Sequence, residues 1–135
     1  MFPGIQPSSI TSVGSNDRYL TGQSKKDLVL QVGYGVQLQG PSGRPDSFFF
    51  DSTRNQSLVK PDKVTGSLLM IGANPNDSSG FGSPCSGDSG SPVFRDGVII
   101  SVFTFAGGNC TNKGGGARVD AGPGRDFLRS RGLVP

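Results

Sequence analysis

The stretch Cys85-Ser86-Gly87-Asp88-Ser89-Gly90-Ser91-Pro92 carries the clearest chemistry in the chain. Its glycines let the backbone curl around Ser89, so that successive N–H groups can converge on one spot and stabilise a developing oxyanion. A serine hydroxyl held there could attack a carbonyl. At its own pKa it is a weak nucleophile, and it needs a neighbouring histidine to take its proton and an aspartate to orient that histidine. The chain contains no histidine, so a Ser-His-Asp mechanism cannot operate within it. Read without its context, the stretch is only a polar turn containing a serine.

The surrounding segments decide how such a loop would be held. Leu28 to Val32 reads as a strand, followed by Gly33-Tyr34-Gly35 and the alternation Val36-Gln37-Leu38-Gln39. Phe48-Phe49-Phe50 and Leu68 to Ile71 are short apolar runs bounded by turn residues, as buried strands are. After the serine loop come Pro92-Val93-Phe94, the turn Arg95-Asp96-Gly97 and the longest apolar run, Val98 to Phe105. An Asp-Gly pair between apolar segments predicts a tight hairpin. A glycine loop, 107–116, then precedes a short strand, Ala117 to Asp120, and two helical turns are expected from Arg125 to Arg131, with Phe127 and Leu128 as their apolar contacts. Residues 1–26, rich in Pro, Ser, Gly and Asn without periodicity, read as an extended linker segment, leaving 27–135 as one β domain.

Composition agrees with an all-β chain. All ten acidic residues are Asp, there are 22 glycines, and strong helix formers are scarce. The formal charge is +3, with thirteen Lys and Arg scattered along the sequence, which gives nucleic-acid binding little support. The cations Arg125, Arg129 and Arg131 read as a solvated helix end. No run of about eighteen apolar residues is present, so no membrane span is predicted. Cys85 and Cys110 lie too far apart for a Cys-x-x-Cys motif, and without histidine no metal site and no cofactor is proposed. A Cys85–Cys110 disulfide is expected instead; in the chain-entropy model it is worth roughly 3.5 kcal/mol and forms in an oxidising compartment. Met1 to Gln6 lacks the basic flank and apolar stretch of a secretory signal, so a missing N-terminal part is expected.

The serine loop resembles the G-D-S-G-G-P nucleophile loop of chymotrypsin/trypsin-like serine proteases, with Ser91 in place of the second glycine. Gly33-Tyr34-Gly35 resembles the family's G-W-G or G-Y-G strand junction, and Val102 to Ala106 its V-S-W-G substrate-binding segment with Thr, Phe and Ala substituted. Ala117 to Asp120 resembles the last strand, and Phe127-Leu128 the start of the C-terminal helix. The matches run in family order over residues 28–130. They imply an antiparallel six-stranded β-barrel, the second barrel of the trypsin-like double-barrel fold, with a short C-terminal helix.

The resemblance also assigns roles. Ser89 would be the catalytic nucleophile, Gly87 and Ser89 the oxyanion-hole donors, and Asp88 the structural residue that pairs with a newly cleaved N-terminal amine. Because this chain offers Asp88 no obvious partner, an unpaired carboxylate and a disordered or inactive loop are expected. Ser83 would floor the substrate pocket, where a neutral residue disfavours basic specificity; Thr104, Phe105 and Ala106 would line it, Ala106 narrowing its entrance. Cys85 and Cys110 would form the pocket disulfide.

Two readings follow. In the first, the chain is the C-terminal fragment of a secreted serine endopeptidase acting on protein or peptide substrates, inactive until an N-terminal barrel supplies histidine and aspartate. In the second, it is a catalytically dead barrel that binds peptides or proteins. The first is preferred, since a dead module has no need of a serine between oxyanion-forming glycines.

Overall fold

A computed structural model describes residues 7–20, 27–38, 48–72, 82–107, 110 and 113–135. Eight strands and one α-helix form from them. β1 spans Val29–Gly33, β2 Gln37–Leu38, β3 Phe48–Phe49, β4 Asn55–Val64, β5 Leu68–Gly72, β6 Pro92–Arg95, β7 Val98–Phe105 and β8 Gly114–Arg118, and α1 runs from Gly122 to Ser130. Six strands close into a barrel in the order β1-β4-β5-β8-β7-β6, every pairing antiparallel, while β2 and β3 make a separate two-stranded sheet. Residues 39–47, 73–81, 108, 109, 111 and 112, which include Gln39 of the expected β2 strand and much of the loop before Ser89, lie outside the described residues.

Alternation sends Val29, Val59, Leu69, Ile71, Val93 and Phe103 to the barrel interior, and Ile100 joins them at a bulge where the register of β7 against β6 shifts. The Arg95-Asp96-Gly97-Val98 hairpin has positive φ at both central residues, 52° at Asp96 and 78° at Gly97, as a type I′ turn requires.

Three elements differ from the sequence reading. β4 was not expected, because Asn55 to Val64 is mostly polar and contains Pro61, which cannot donate to a ladder. The fold accommodates Pro61 at a bulge, where the register against β5 shifts between Pro61 and Lys63. β8 begins at Gly114, inside the expected glycine loop: a Cβ at Gly116 would sit 2.5 Å from Val102 O and from Ser101 Oγ, so the glycines let β8 press against β7. Finally, α1 starts at Gly122 and turns Arg125, not Phe127, inward. Phe127 is 57% exposed, and the buried Arg125 donates to Thr11 O at 3.0 Å.

The 7–20 segment packs against one end of the barrel. Thr11 N donates to Ile99 O (3.0 Å) and Ile99 N to Ser9 O (2.9 Å), pairing Ile10 with β7 in parallel. Tyr19, in a 3₁₀ turn over Asp17–Tyr19, joins the core. Between them lies a buried polar network centred on Asp120. Its carboxylate accepts from Asn16 N (2.8 Å) and Asn16 Nδ2 (2.9 Å), and from Arg118 Nε (2.9 Å) and Nη2 (2.8 Å). Arg118 Nη2 also reaches Asp17 Oδ1 at 2.6 Å, and Nη1 donates to Thr65 O at 2.8 Å.

Burial alone would raise the Asp120 pKa, but the hydrogen bonds from Arg118 and Asn16 and the Arg118 charge outweigh it and hold the carboxyl below its ordinary range. A carboxylate depressed on folding contributes stability that is complete above its unfolded value, about 3.9, and is lost as pH falls through the folded value. Melting temperature is therefore expected to be insensitive to this group from pH 7 to about 5 and to decline below about pH 4. A titration of Tm against pH checks this: the Asp120→Asn variant should show a shallower acid decline than the parent.

Candidate active site

The loop from Cys85 to Ser91 is two β-turns in succession. Asp88 N donates to Cys85 O at 3.1 Å, and Ser91 N to Asp88 O at 2.9 Å. The third residue of each turn has positive φ, 92° at Gly87 and 88° at Gly90, the conformation a type II turn demands and glycine supplies without strain. Turns of this kind leave their inner N–H groups outside the turn hydrogen bond. Gly90 N finds Phe103 O on β7 at 2.8 Å; Gly87 N and Ser89 N donate to no described residue. Both residues are exposed, so among the described residues the two N–H groups assigned to an oxyanion hole are uncommitted, and the second of them belongs to the serine that carries the hydroxyl. That hydroxyl makes one long hydrogen bond, 3.4 Å, to Thr104 O.

Asp88 corrects the expectation that its carboxylate lacks a partner. Oδ1 accepts from Gly35 N at 2.7 Å and Oδ2 from Cys85 N at 2.8 Å. Two backbone donors, one on the strand junction and one on the loop itself, satisfy the carboxylate. The glycines of Gly33-Tyr34-Gly35 make the space. A Cβ on Gly35 would lie 2.6–2.7 Å from the Asp88 carboxylate atoms, and one on Gly33 would overlap it. Gly87 in turn rests on Gly35, where a Cβ at 87 would come within 3.1 Å of Gly35 Cα, and Val36 N donates to Ser86 O at 2.9 Å. The junction and the loop are one packed unit. Gly35→Ala is accordingly expected to expel Asp88 and unwind the first turn, at a cost of about 1–3 kcal/mol from overpacking; denaturant unfolding should register it, and a fully stable variant would refute the close approach.

The remaining assigned residues fall as follows. Cys85 and Cys110 form a disulfide with Cα atoms 5.0 Å apart, tying the loop to the segment after β7. Ser91 keeps negative φ, so the place where the resembled loop carries glycine requires no unusual backbone here. Thr104 turns its hydroxyl to Gly115 O at 3.0 Å, leaving its carbonyl to Ser89. Phe105 is 40% exposed, while Ala106 packs against the core. The half-buried Ser83 donates to Pro84 O at 3.2 Å and makes no hydrogen bond to Thr104, Phe105 or Ala106. The sequence reading missed the role of the two glycines in seating Asp88, although Gly-x-Gly at the end of a strand is a signal of close backbone approach. No side chain among the described residues stands ready as a base for Ser89.

Six antiparallel strands closed in this order, with a helix at the end of the chain, constitute a trypsin-like barrel. A structure of a mutant of human heparin binding protein (CAP37) superposes with a TM-score of 0.61 at 19% identity, covering 100% of this chain and 53% of that one. The likeness is one of fold, and the chain spans about half the length of that solved structure. No protein-family model and no curated protein sequence matches it.

Proposed function

We propose that this barrel is the nucleophile-bearing half of a serine endopeptidase, hydrolysing peptide bonds through Ser89 with Gly87 N and Ser89 N as oxyanion donors. The observation that carries the reading is the double turn at 85–91, which leaves those two N–H groups without a partner among the described residues, beside an exposed serine hydroxyl. Acyl transfer needs donors free to meet charge as it develops on the carbonyl oxygen. It also needs a base, and with no histidine in the sequence that base comes from a partner, an N-terminal barrel carrying histidine and aspartate. The substrate is a protein or peptide chain. Phe105 and Ala106 would flank its side chain and the neutral Ser83 would floor the pocket, favouring apolar over basic residues. The disulfide supports a secreted location.

Co-refolding the chain with a trypsin-type first barrel tests the reading. Peptide hydrolysis should appear only in the mixture, favour an apolar residue before the scissile bond, and vanish with Ser89→Ala. Hydrolysis that survives Ser89→Ala would overturn it.

A further inference from the structure

The serine loop rests on β1 and its extension at two points, of which the Asp88 seat is one. Gln31, Gly33 and Gly35 occupy alternate positions and are all buried, so they share the strand face beneath the loop. Gly33 and Gly35 make the gap that receives Asp88. Gln31, only 2% exposed, donates from Nε2 to the Ser91 hydroxyl oxygen. Its Oε1 is buried with no hydrogen-bond partner among the described residues.

An interior strand position ordinarily takes an apolar side chain, because a half-satisfied buried amide opposes folding. Departures of that kind collect where function requires them. Ser91 is the residue on which this amide is spent. Its N–H closes the second turn on Asp88 O, its carbonyl accepts from Phe103 N at 2.9 Å, and its hydroxyl is held by Gln31. Ser89 therefore hangs between two posts, Asp88 on one side and Ser91 on the other, and the same face of β1 and its extension holds both.

We propose that Gln31 is a positioning residue for Ser89, acting through Ser91. The assignment rests on the reading of Ser89 as the nucleophile. It also accounts for the serine at 91: its hydroxyl and the Gln31 amide form a matched pair, each of which loses its described partner when the other is removed.

The test uses the full chain, disulfide intact and ¹⁵N-labelled, in parent, Gln31→Leu, Ser91→Ala and double-variant forms. Ser91→Ala removes a half-buried loop hydroxyl and changes no interior side chain, and so guards against a Gln31 variant that fails to fold. Either single variant should accelerate hydrogen exchange at the Gly90 and Ser91 amides about tenfold and displace the Ser89 amide resonance, while exchange at Leu69 and Ile71 stays within twofold of the parent. In the Ser91→Ala background, Gln31→Leu should produce no further change at Ser89. Unchanged Ser89 and Gly90 resonances in Ser91→Ala, or equal and additive effects on loop and core, would overturn the proposal. The nucleophile reading fails separately, through the labelling behaviour of the parent chain.

Discussion

Replacing Asp120 with alanine is expected to remove about 3–5 kcal/mol of folding stability, a large share of what a domain of this size possesses. Asp120 is wholly buried, and the Arg118 side chain facing it is only 4% exposed. Deleting the carboxylate strands the guanidinium away from water with one partner fewer, and leaves Asn16 N and one of the two bonds of Asn16 Nδ2 without an acceptor. The remaining acceptors of Arg118, Asp17 and the Thr65 carbonyl, reach only part of its donor set. Asp17 is also largely solvated, so its attraction is screened. Asp120→Asn keeps the shape and one acceptor oxygen, and with it one of the two Asn16 contacts, but it loses the charge and sets an amide N–H against the other pair of donors, so it should also be destabilising. Urea unfolding measures both. A change below about 1 kcal/mol for Asp120→Ala would mean that the network is incidental to stability.

The network also shows where sequence reading stops. The strand-like runs at Leu28 to Val32, Leu68 to Ile71 and Val98 to Phe105 and the Asp96-Gly97 turn announce themselves, because periodicity and positive-φ residues are local signals. β4 does not. Its pattern carries three buried residues, Val59, Pro61 and Val64, among half-buried or exposed residues that are polar apart from Leu58, and the proline is accommodated at a bulge against β5. The start of β8 is hidden for a related reason: three glycines suggest a loop unless the bulk of β7 beside them is known. Asn16 and Asp120 are ordinary loop residues in composition, yet 104 positions apart they form a buried pair. Nothing local marks them.

The backbone shape of the serine loop is legible in the sequence as well. Glycine spacing around Ser89 follows from the turns it must make, and those turns are present with the φ signs they require. Asp88 was visible as a carboxylate beside the serine, but its acceptors' donors were not, since backbone N–H groups have no signature in a sequence. The Gly35 and Cys85 amides hold a carboxylate for which the sequence shows no partner. Gln31 was equally hidden, reading as one polar residue interrupting an apolar strand until Ser91 is seen above it.

With the loop assembled and the donors uncommitted, the missing base becomes the limiting element of the proposed chemistry. Loss of the histidine from a Ser-His-Asp site lowers turnover by a factor on the order of 10⁶, and under the proposed function this chain stands in that state. Small-molecule bases can stand in for an absent side chain when the site around them is intact, which separates a preformed nucleophile from a surface serine. The direct measurement is fluorophosphonate labelling of the purified, disulfide-intact chain, mapped by mass spectrometry, with and without added imidazole. The expected result is negligible labelling alone and imidazole-dependent labelling confined to Ser89. Robust labelling without imidazole, or labelling spread over other serines with Ser89 unmodified, would contradict the account.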